Sequence, residues 1–390
     1  MYNYFVLLFC FTDLPALDQA ESLNFNKEDS ILTQNTIPEL NIGGLIAKIP
    51  VIQGGMGVAI SMSGLASAVA NAGAIGVLAT AGIAFNKADL KENFVEANNI
   101  ALAEEIKKTR GLTKGLIGVN IMYALTNYAE LCKTAIKEGI DFIFSGAGLP
   151  LNLPEFLYGS TKTKLVPIVS SGRAAKIIGN TWVKKYNYVP DAFVLEGPKA
   201  GGHLGYKLEN IDSPDFALEK LLPDVVAVAE ELGKAHGRKI PVIAGGGIYT
   251  GADIKKIMAL GAGGVQMATR FVATNECDAS DVFKKAFIDC KEEDLVLIKS
   301  PVGMPGRAIR NKFITAVEHG NKEPFECPYH CIITCDVVNA PYCIALALLN
   351  ARKGTMDHGF AFAGSNAYRV NEILPVKKLV DTLVEEYSKA

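Results

Sequence analysis

The sequence lacks a charge excess of either sign. Its 39 Lys and Arg stand against 41 Asp and Glu, a formal net charge of -2, with no long run of one sign. Nucleic acid and anionic membrane surfaces select clustered basic residues, so both are poor partners for this chain. An apolar run long enough to span a bilayer, about 20 residues, is also missing. The first residues, MYNYFVLLFCF, hold a run of only about seven apolar residues and have none of the basic residues that open a signal peptide. Residues 1–36 are therefore expected to form an N-terminal extension, either disordered or serving in targeting. Internal repeats and low-complexity tracts are absent. The cysteines show no disulfide framework: Cys10, Cys132, Cys277 and Cys290 are scattered, whereas Cys327, Cys331, Cys335 and Cys343 are crowded. Scattered thiols in a large chain suit a reducing, cytoplasmic compartment.

What the chain does have is material for a core. Apolar residues make up 49% and charged residues 21% of its 390 positions. From residue 50 onward, eight short runs rich in Val and Ile end in Gly, Ser, Thr or Asn: 50–56, 75–80, 116–122, 142–148, 165–171, 192–197, 241–247 and 264–270. Hydrophobicity that is continuous rather than alternating marks strands buried on both faces, which occur in parallel sheets covered by helices. The intervening segments 63–73, 127–139 and 223–234 carry helical spacing of apolar residues. Eight such units predict an α/β fold, a (β/α)8 TIM barrel over 37–272, with a doubly wound sheet as the alternative. A cap segment over 273–345 and C-terminal helices over 346–390 would form a small cysteine-containing appendage.

A barrel of this kind builds its site at the carboxyl ends of its strands, and the unusual residues gather there. Gly245-Gly246-Gly247, followed by the start of a helix, can turn sharply and aim several backbone N–H groups at an anion. Gln266-Met267-Ala268-Thr269 ends the eighth run beside it, adding a hydroxyl and further donors. Phosphate is a recurring ligand of this corner; a bare tight turn is the plainer reading. In EGPKAGGHLG (196–205) a single imidazole, His203, sits among glycines. An imidazole titrates near neutrality and can take or give a proton at carbon, or it can be a satisfied structural group. The glycines suggest a loop that approaches a ligand closely, with Gly201 and Gly202 lying against it. Lys199 is either a ligand contact or solvated. Glu196 is either an acceptor for ligand hydroxyls or a structural acid, and Asn120 either meets the edge of a heterocycle or caps a turn.

Taken in order, IPVIQGGMG (49–57), GVN (118–120), EGPKAGGHLG (196–205), PVIAGGGI (241–248), GVQMATRF (264–271) and SPVGMPGRAIRNKF (300–313) resemble the nitronate monooxygenase family, formerly the 2-nitropropane dioxygenases, and the similar flavin-type enoyl-acyl carrier protein reductases. The resemblance covers about residues 37 to 318. It implies an FMN-dependent oxidoreductase that uses dioxygen to oxidise alkyl nitronates to a carbonyl compound and nitrite. The implied flavin contacts are Gly55, Met56, Asn120, Glu196, Lys199, Gly201, Gly202, Gly246, Gly247, Gln266, Met267, Ala268 and Thr269, with His203 as the catalytic base. Two positions depart from the pattern. Glu196 stands where many nitronate monooxygenases have glutamine and the reductases have glutamate, and Ala268 replaces a usual glycine. The first leaves open an NAD(P)H-dependent reduction of an enoyl thioester. A barrel that binds a phosphorylated ligand without redox chemistry is the reading from another class, and a homodimer is compatible with all three.

Cys327-x3-Cys331-x3-Cys335-x7-Cys343 has no counterpart in the family pattern. If 327–335 were helical, three thiolates at i, i+4 and i+8 would drift slowly around one face and could converge on an iron-sulfur cluster or zinc. Free thiols and disulfides are the alternatives.

Overall fold

A computed structural model of the chain describes residues 36–390 apart from 86–89, 91 and 328, so the expected N-terminal extension lies outside the described residues. Eight parallel strands follow one another as the apolar runs predict: β1 (Val51–Gln53), β2 (Gly76–Ala79), β3 (Ile117–Met122), β4 (Phe142–Gly146), β5 (Lys164–Val169), β6 (Phe193–Glu196), β7 (Val242–Gly245) and β8 (Gly264–Met267). Each pairs with its sequence neighbours, and β8 pairs with β1. A parallel bridge between Ile52 and Ile75 joins β1 to the chain entering β2 and closes the circle. The fold is a TIM barrel.

Alternation along the strands sorts their side chains into two cores. Ile52, Val77, Phe142, Phe144, Val166, Val194 and Ile243 point inward and fill the barrel, joined by Leu40, Ile42 and Ala47. Those last three belong to an antiparallel ribbon (Leu40–Ile42 with Leu45–Ala47), so this ribbon packs into the barrel core. The alternate set, including Val51, Leu78, Val119, Ile143, Leu165, Leu195 and Val265, faces the surrounding helices. Burial on both faces is why the runs read as continuously apolar.

The helices follow from the same economy of surface. They are α1 (Ser63–Asn71), α2 (Phe94–Leu112), α3 (Tyr128–Lys137), α4 (Gly172–Tyr186), α5 (Leu218–Ala235) and α6 (Gly251–Ala259). In α5 the buried residues Leu218, Leu222, Val225, Ala229 and Leu232 recur at three or four positions, one apolar stripe on an otherwise polar helix. Thr250 and Asp253 form a reciprocal capping box that starts α6 directly behind the glycine run. Pro154 opens the short 3-10 helix Leu153–Leu157 after β4, where the other units carry α-helices.

Past the barrel, Leu295–Lys299 and Pro305–Ile309 pair antiparallel, and the second of these pairs with Gly202–His203. The helices Ile344–Lys353 and Val376–Lys389 follow. The helix considered for 327–335 is not seen among the described residues of that stretch, which are irregular, with one isolated bridge from Ile332 to Leu125. His330, inside the interval, has a left-handed backbone (φ +43°), which a continuous α-helix excludes.

Candidate functional site

The carboxyl ends of the strands open into a cavity of about 520 Å³. A smaller one, about 70 Å³, adjoins it at the ends of β6, β7 and β8. Every predicted flavin-contact residue, and His203, borders one or both. Gly55, Met56, Asn120, Gly202 and His203 border the large cavity, and Lys199, Gly246, Gly247 and Met267 the small one. Glu196, Gly201, Gln266, Ala268 and Thr269 border both.

The small cavity is walled by backbone at close quarters. Gly246 has φ +95°, and a Cβ there would lie 2.8 Å from the Gly197 carbonyl oxygen and 3.0 Å from the Ala200 nitrogen. Only glycine fits that combination of left-handed backbone and close approach. The C-terminal region clasps the cradle. Asn366 Nδ2 donates to the Gly247 carbonyl at 2.7 Å, the Ser365 N–H to the Lys199 carbonyl at 3.1 Å, and the Gly364 N–H to Thr269 Oγ1 at 3.1 Å. Arg270, beside the same cavity, is held by a 2.9 Å bond to the Tyr249 carbonyl and lies over the Tyr249 ring.

His203 is fixed from three sides. Its backbone pairs with Gly306, its ring packs edge-on to Phe362 with centroids 4.9 Å apart, and Nε2 lies 2.7 Å from Ser300 Oγ. Ser300 is buried, and its oxygen accepts from the Val302 N–H at 3.4 Å; with Nε2–H as its second donor, the ring keeps the Nδ1 lone pair to take a proton. Burial lowers the imidazole pKa to about 4, so the ring is neutral at physiological pH. Glu196 shows the opposite displacement for the same reason: burial raises its carboxyl to about 7. Its main-chain carbonyl accepts from the Tyr206 hydroxyl at 2.6 Å.

Gly201 is pressed on a side away from any ligand as well. A Cβ on Gly201 would meet the Ala363 carbonyl carbon and the Gly364 nitrogen, each at 2.5 Å. The close approach it permits is to the C-terminal segment. Ser300, Phe362, Gly364 and Asn366 are the residues that sequence reasoning missed. Ser300 opened a quoted motif, but nothing local tied it to a histidine 97 positions earlier.

The cysteines divide. Cys331 borders the large cavity, while Cys343 precedes the helix Ile344–Lys353. The strand-like stretch around Cys331 straps across the end of β3: Thr126 N–H donates to the Cys331 carbonyl at 3.2 Å and Ile333 N–H to the Ala124 carbonyl at 2.9 Å. Tyr329 stacks on Phe94 with centroids 5.2 Å apart. Burial, then the neighbouring Cys343, Cys327 and Cys335, push the Cys331 thiol up to about 12. Among the described residues no three His, Cys, Asp or Glu side chains come together as a metal set.

The profile of the nitronate monooxygenase family matches residues 40–386, and the chain belongs to that family of FMN-dependent oxidoreductases. A (3aS,4S,5R,7aS)-5-hydroxy-7a-methyl-1-oxo-octahydro-1H-indene-4-carboxyl-CoA dehydrogenase of Mycobacterium tuberculosis is 30% identical over 273 residues, 70% of this chain and 66% of that protein. The dehydrogenase of the same name from Rhodococcus jostii is 28% identical and 65% covered, so the match spans just under two thirds of both relatives. Among solved structures, FabK from Thermotoga maritima aligns with a TM-score of 0.64 at 27% identity, covering 87% of this chain and 93% of that one. Nitroalkane oxidase from Streptomyces ansochromogenes shares the fold at 23% identity, with a TM-score of 0.66 and coverage of 87% and 96%. The residues present fit the family's cofactor: a phosphate-sized cradle, with a wall at Gly246 that leaves no room for a Cβ, lies next to a larger cavity bordered by Asn120, Glu196 and Gln266. No helix among the described residues is long and apolar enough to cross a membrane.

Proposed function

We propose that the protein is an FMN-dependent nitronate monooxygenase, converting an alkyl nitronate and dioxygen to a carbonyl compound and nitrite. The observation that carries the proposal is the placement of a neutral, rigidly held imidazole on the cavity that adjoins the phosphate cradle. Bound FMN would supply the electron transfer between substrate and oxygen. The backbone around Gly246, Gly247 and Gln266 to Thr269 would hold its phosphate, while Asn120 and Glu196 would meet its polar edges. His203, uncharged above about pH 4, can take the α-proton of a neutral nitroalkane and so make the nitronate in place. Ser300 fixes the ring plane and shares Nε2, which makes it a positioning residue for that transfer.

One observation favours a second reading, an NAD(P)H-dependent enoyl-thioester reductase. Burial raises Glu196 to about 7, so near neutrality a large share of it keeps its proton and can donate a hydrogen bond that glutamate ordinarily cannot. Anaerobic stopped-flow spectroscopy of the flavin separates the readings: bleaching by an alkyl nitronate but not by NADPH supports the monooxygenase, and the reverse supports the reductase. A colourless preparation that FMN cannot reconstitute would overturn both in favour of a barrel for a phosphorylated ligand. The cysteine segment enters neither reading as a redox centre, and iron and zinc analysis of anaerobically purified protein tests that directly.

A further inference from the structure

Three large apolar side chains that border the large cavity, Phe85, Phe94 and Leu348, are only half-buried. Each packs against a hydrophobic core with part of its surface and leaves the rest uncovered. Ile332 borders the same cavity and is 8% exposed. The four come from distant parts of the chain. Phe85 and Phe94 follow β2, Ile332 lies in the stretch that crosses the end of β3, and Leu348 belongs to the helix Ile344–Lys353.

This apolar wall is built in advance. Besides its two backbone bonds to the chain after β3, the crossing stretch is held by Thr334 Oγ1, which donates to the Val302 carbonyl at 3.0 Å, and Tyr329 backs Phe94 by stacking on it. Side chains alternate along the stretch as along a strand: Ile332 borders the cavity, and Ile333 turns outward, 59% exposed. The helix makes the same division with its own period, since Leu348 borders the cavity while Leu346 is 44% exposed. Asn127 also borders the cavity, but both ends of its amide are buried and cannot meet an occupant. Apolar surface left uncovered costs free energy in proportion to its area, and an apolar occupant recovers it. The head of a nitronate, two oxygens on a nitrogen, has no such surface to offer. The substituent on its carbon does.

We infer that Ile332 and Leu348 determine substrate specificity by packing the hydrocarbon chain of an alkyl nitronate beyond its reacting carbon. The inference rests on the monooxygenase reading and narrows its substrate class: nitronates with a flexible chain of several carbons are favoured over those of the smallest nitroalkanes. Both residues lie beyond the last of the family motifs, which ends at Phe313.

The test uses the flavin-loaded protein and two nitroalkanes that lack an α-hydrogen, 2-methyl-2-nitropropane and 2-methyl-2-nitrohexane. Neither can form a nitronate, and the second is longer by three methylenes, so calorimetry reads binding without turnover. Native protein is expected to bind the longer probe more tightly by about tenfold or more, because each methylene taken out of water favours the complex. In Ile332→Asn and in Leu348→Asn that preference should fall by about threefold or more, with affinity for the shorter probe within about twofold of native. Ile333→Asn and Leu346→Asn make the same change on the outward side and should leave the preference within about twofold of native. Should one inward variant fail to fold, the other decides. Equal binding of the two probes by native protein overturns the inference without any variant. So does a preference that survives in the folded inward variants, or one that the outward variants reduce as much. In turnover, kcat/KM for the nitronate of 1-nitrohexane should exceed that for 1-nitropropane, and equal values overturn the inference too. Colourless protein, or a flavin that no nitronate bleaches, is by contrast a failure of the monooxygenase reading, and it is seen apart from the probes, whose binding needs no reaction.

Discussion

The two ends of the barrel treat polar groups in opposite ways. At the amino-terminal end Asp141 accepts from the Ile117 N–H at 2.9 Å and pairs with Arg110 at 2.7 Å, tying the start of β3 to the chain ahead of β4. Asp191 does the same for β5: it accepts from the Leu165 N–H at 2.9 Å, pairs with Arg238 at 2.6 Å and takes the Tyr188 hydroxyl. At the carboxyl end burial raises Glu196 to about 7 and lowers His203 to about 4. Both ends are buried and both hold ionisable groups. Where charged partners are built in, as for Asp141 and Asp191, the acid is structural; among the described residues Glu196 and His203 have no such ion pair, and both border the cavity.

The largest expected effect tests the chemistry assigned to the open end. General-base catalysis contributes about 10² to 10⁴ in rate. His203→Asn should lose that factor with a neutral nitroalkane, keep its flavin, and lose much less with a preformed nitronate, whose proton has already gone. Steady-state rates on the two substrate forms decide it, and equal losses on both would reduce His203 to a binding role.

At the closed end, Asp191→Ala should unfold more easily by about 3 kcal/mol, the lower end of the range for breaking a buried pair, since Arg238 is 33% exposed. Urea denaturation measures it. Folded variant should retain flavin normally; a loss below about 1 kcal/mol would mean that the two ends do not differ in the way described. Smaller again is Gly246→Val. The added side chain collides with the Gly197 carbonyl and enters the cradle. Flavin affinity should drop at least tenfold, about 1.4 kcal/mol, as read by titrating FMN into the stripped protein. Unchanged affinity would remove the phosphate from this corner.

Much of this contrast was readable in the sequence, for reasons that also mark where reading stops. Strands buried on both faces must be apolar throughout, so Phe142–Gly146 and Val242–Gly245 announced themselves. A glycine run ahead of a Thr-x-x-Asp cap has few uses other than holding an anion. His203 stood out because its loop is short of side chains. Its partner Ser300 did not, because the contact depends on an antiparallel pairing, Gly306 with His203, that no local pattern encodes. The helix through the cysteines was only a condition on the metal reading, and the backbone does not meet it, because His330 inside the interval takes a left-handed φ of +43°.

The smallest effect expected of the native protein is near zero, and its origin is a cancellation. In flavin-free protein Glu196 titrates at about 7 against an ordinary 4.5, and His203 at about 4 against 6.5. Between roughly pH 4.5 and 6.5 folded Glu196 keeps a proton that the unfolded chain has released, so raising the pH destabilises the fold. Over the same window unfolded His203 holds a proton that the folded ring has shed, so raising the pH stabilises it. Each slope is at most about 1.4 kcal/mol per pH unit, and the signs are opposite. The pair should therefore leave native stability almost flat between pH 5 and 6.5. Each replacement exposes the remaining partner: Glu196→Gln should become more stable as pH rises through this window, and His203→Asn less stable, with His203→Asn continuing to fall up to about pH 7. Urea midpoints at pH 5 and 6.5, compared with native protein to remove the background of other groups, measure both slopes. If the two variants shift in the same direction, the open end does not hold its acid and its base out of water, and the contrast with Asp141 and Asp191 is lost.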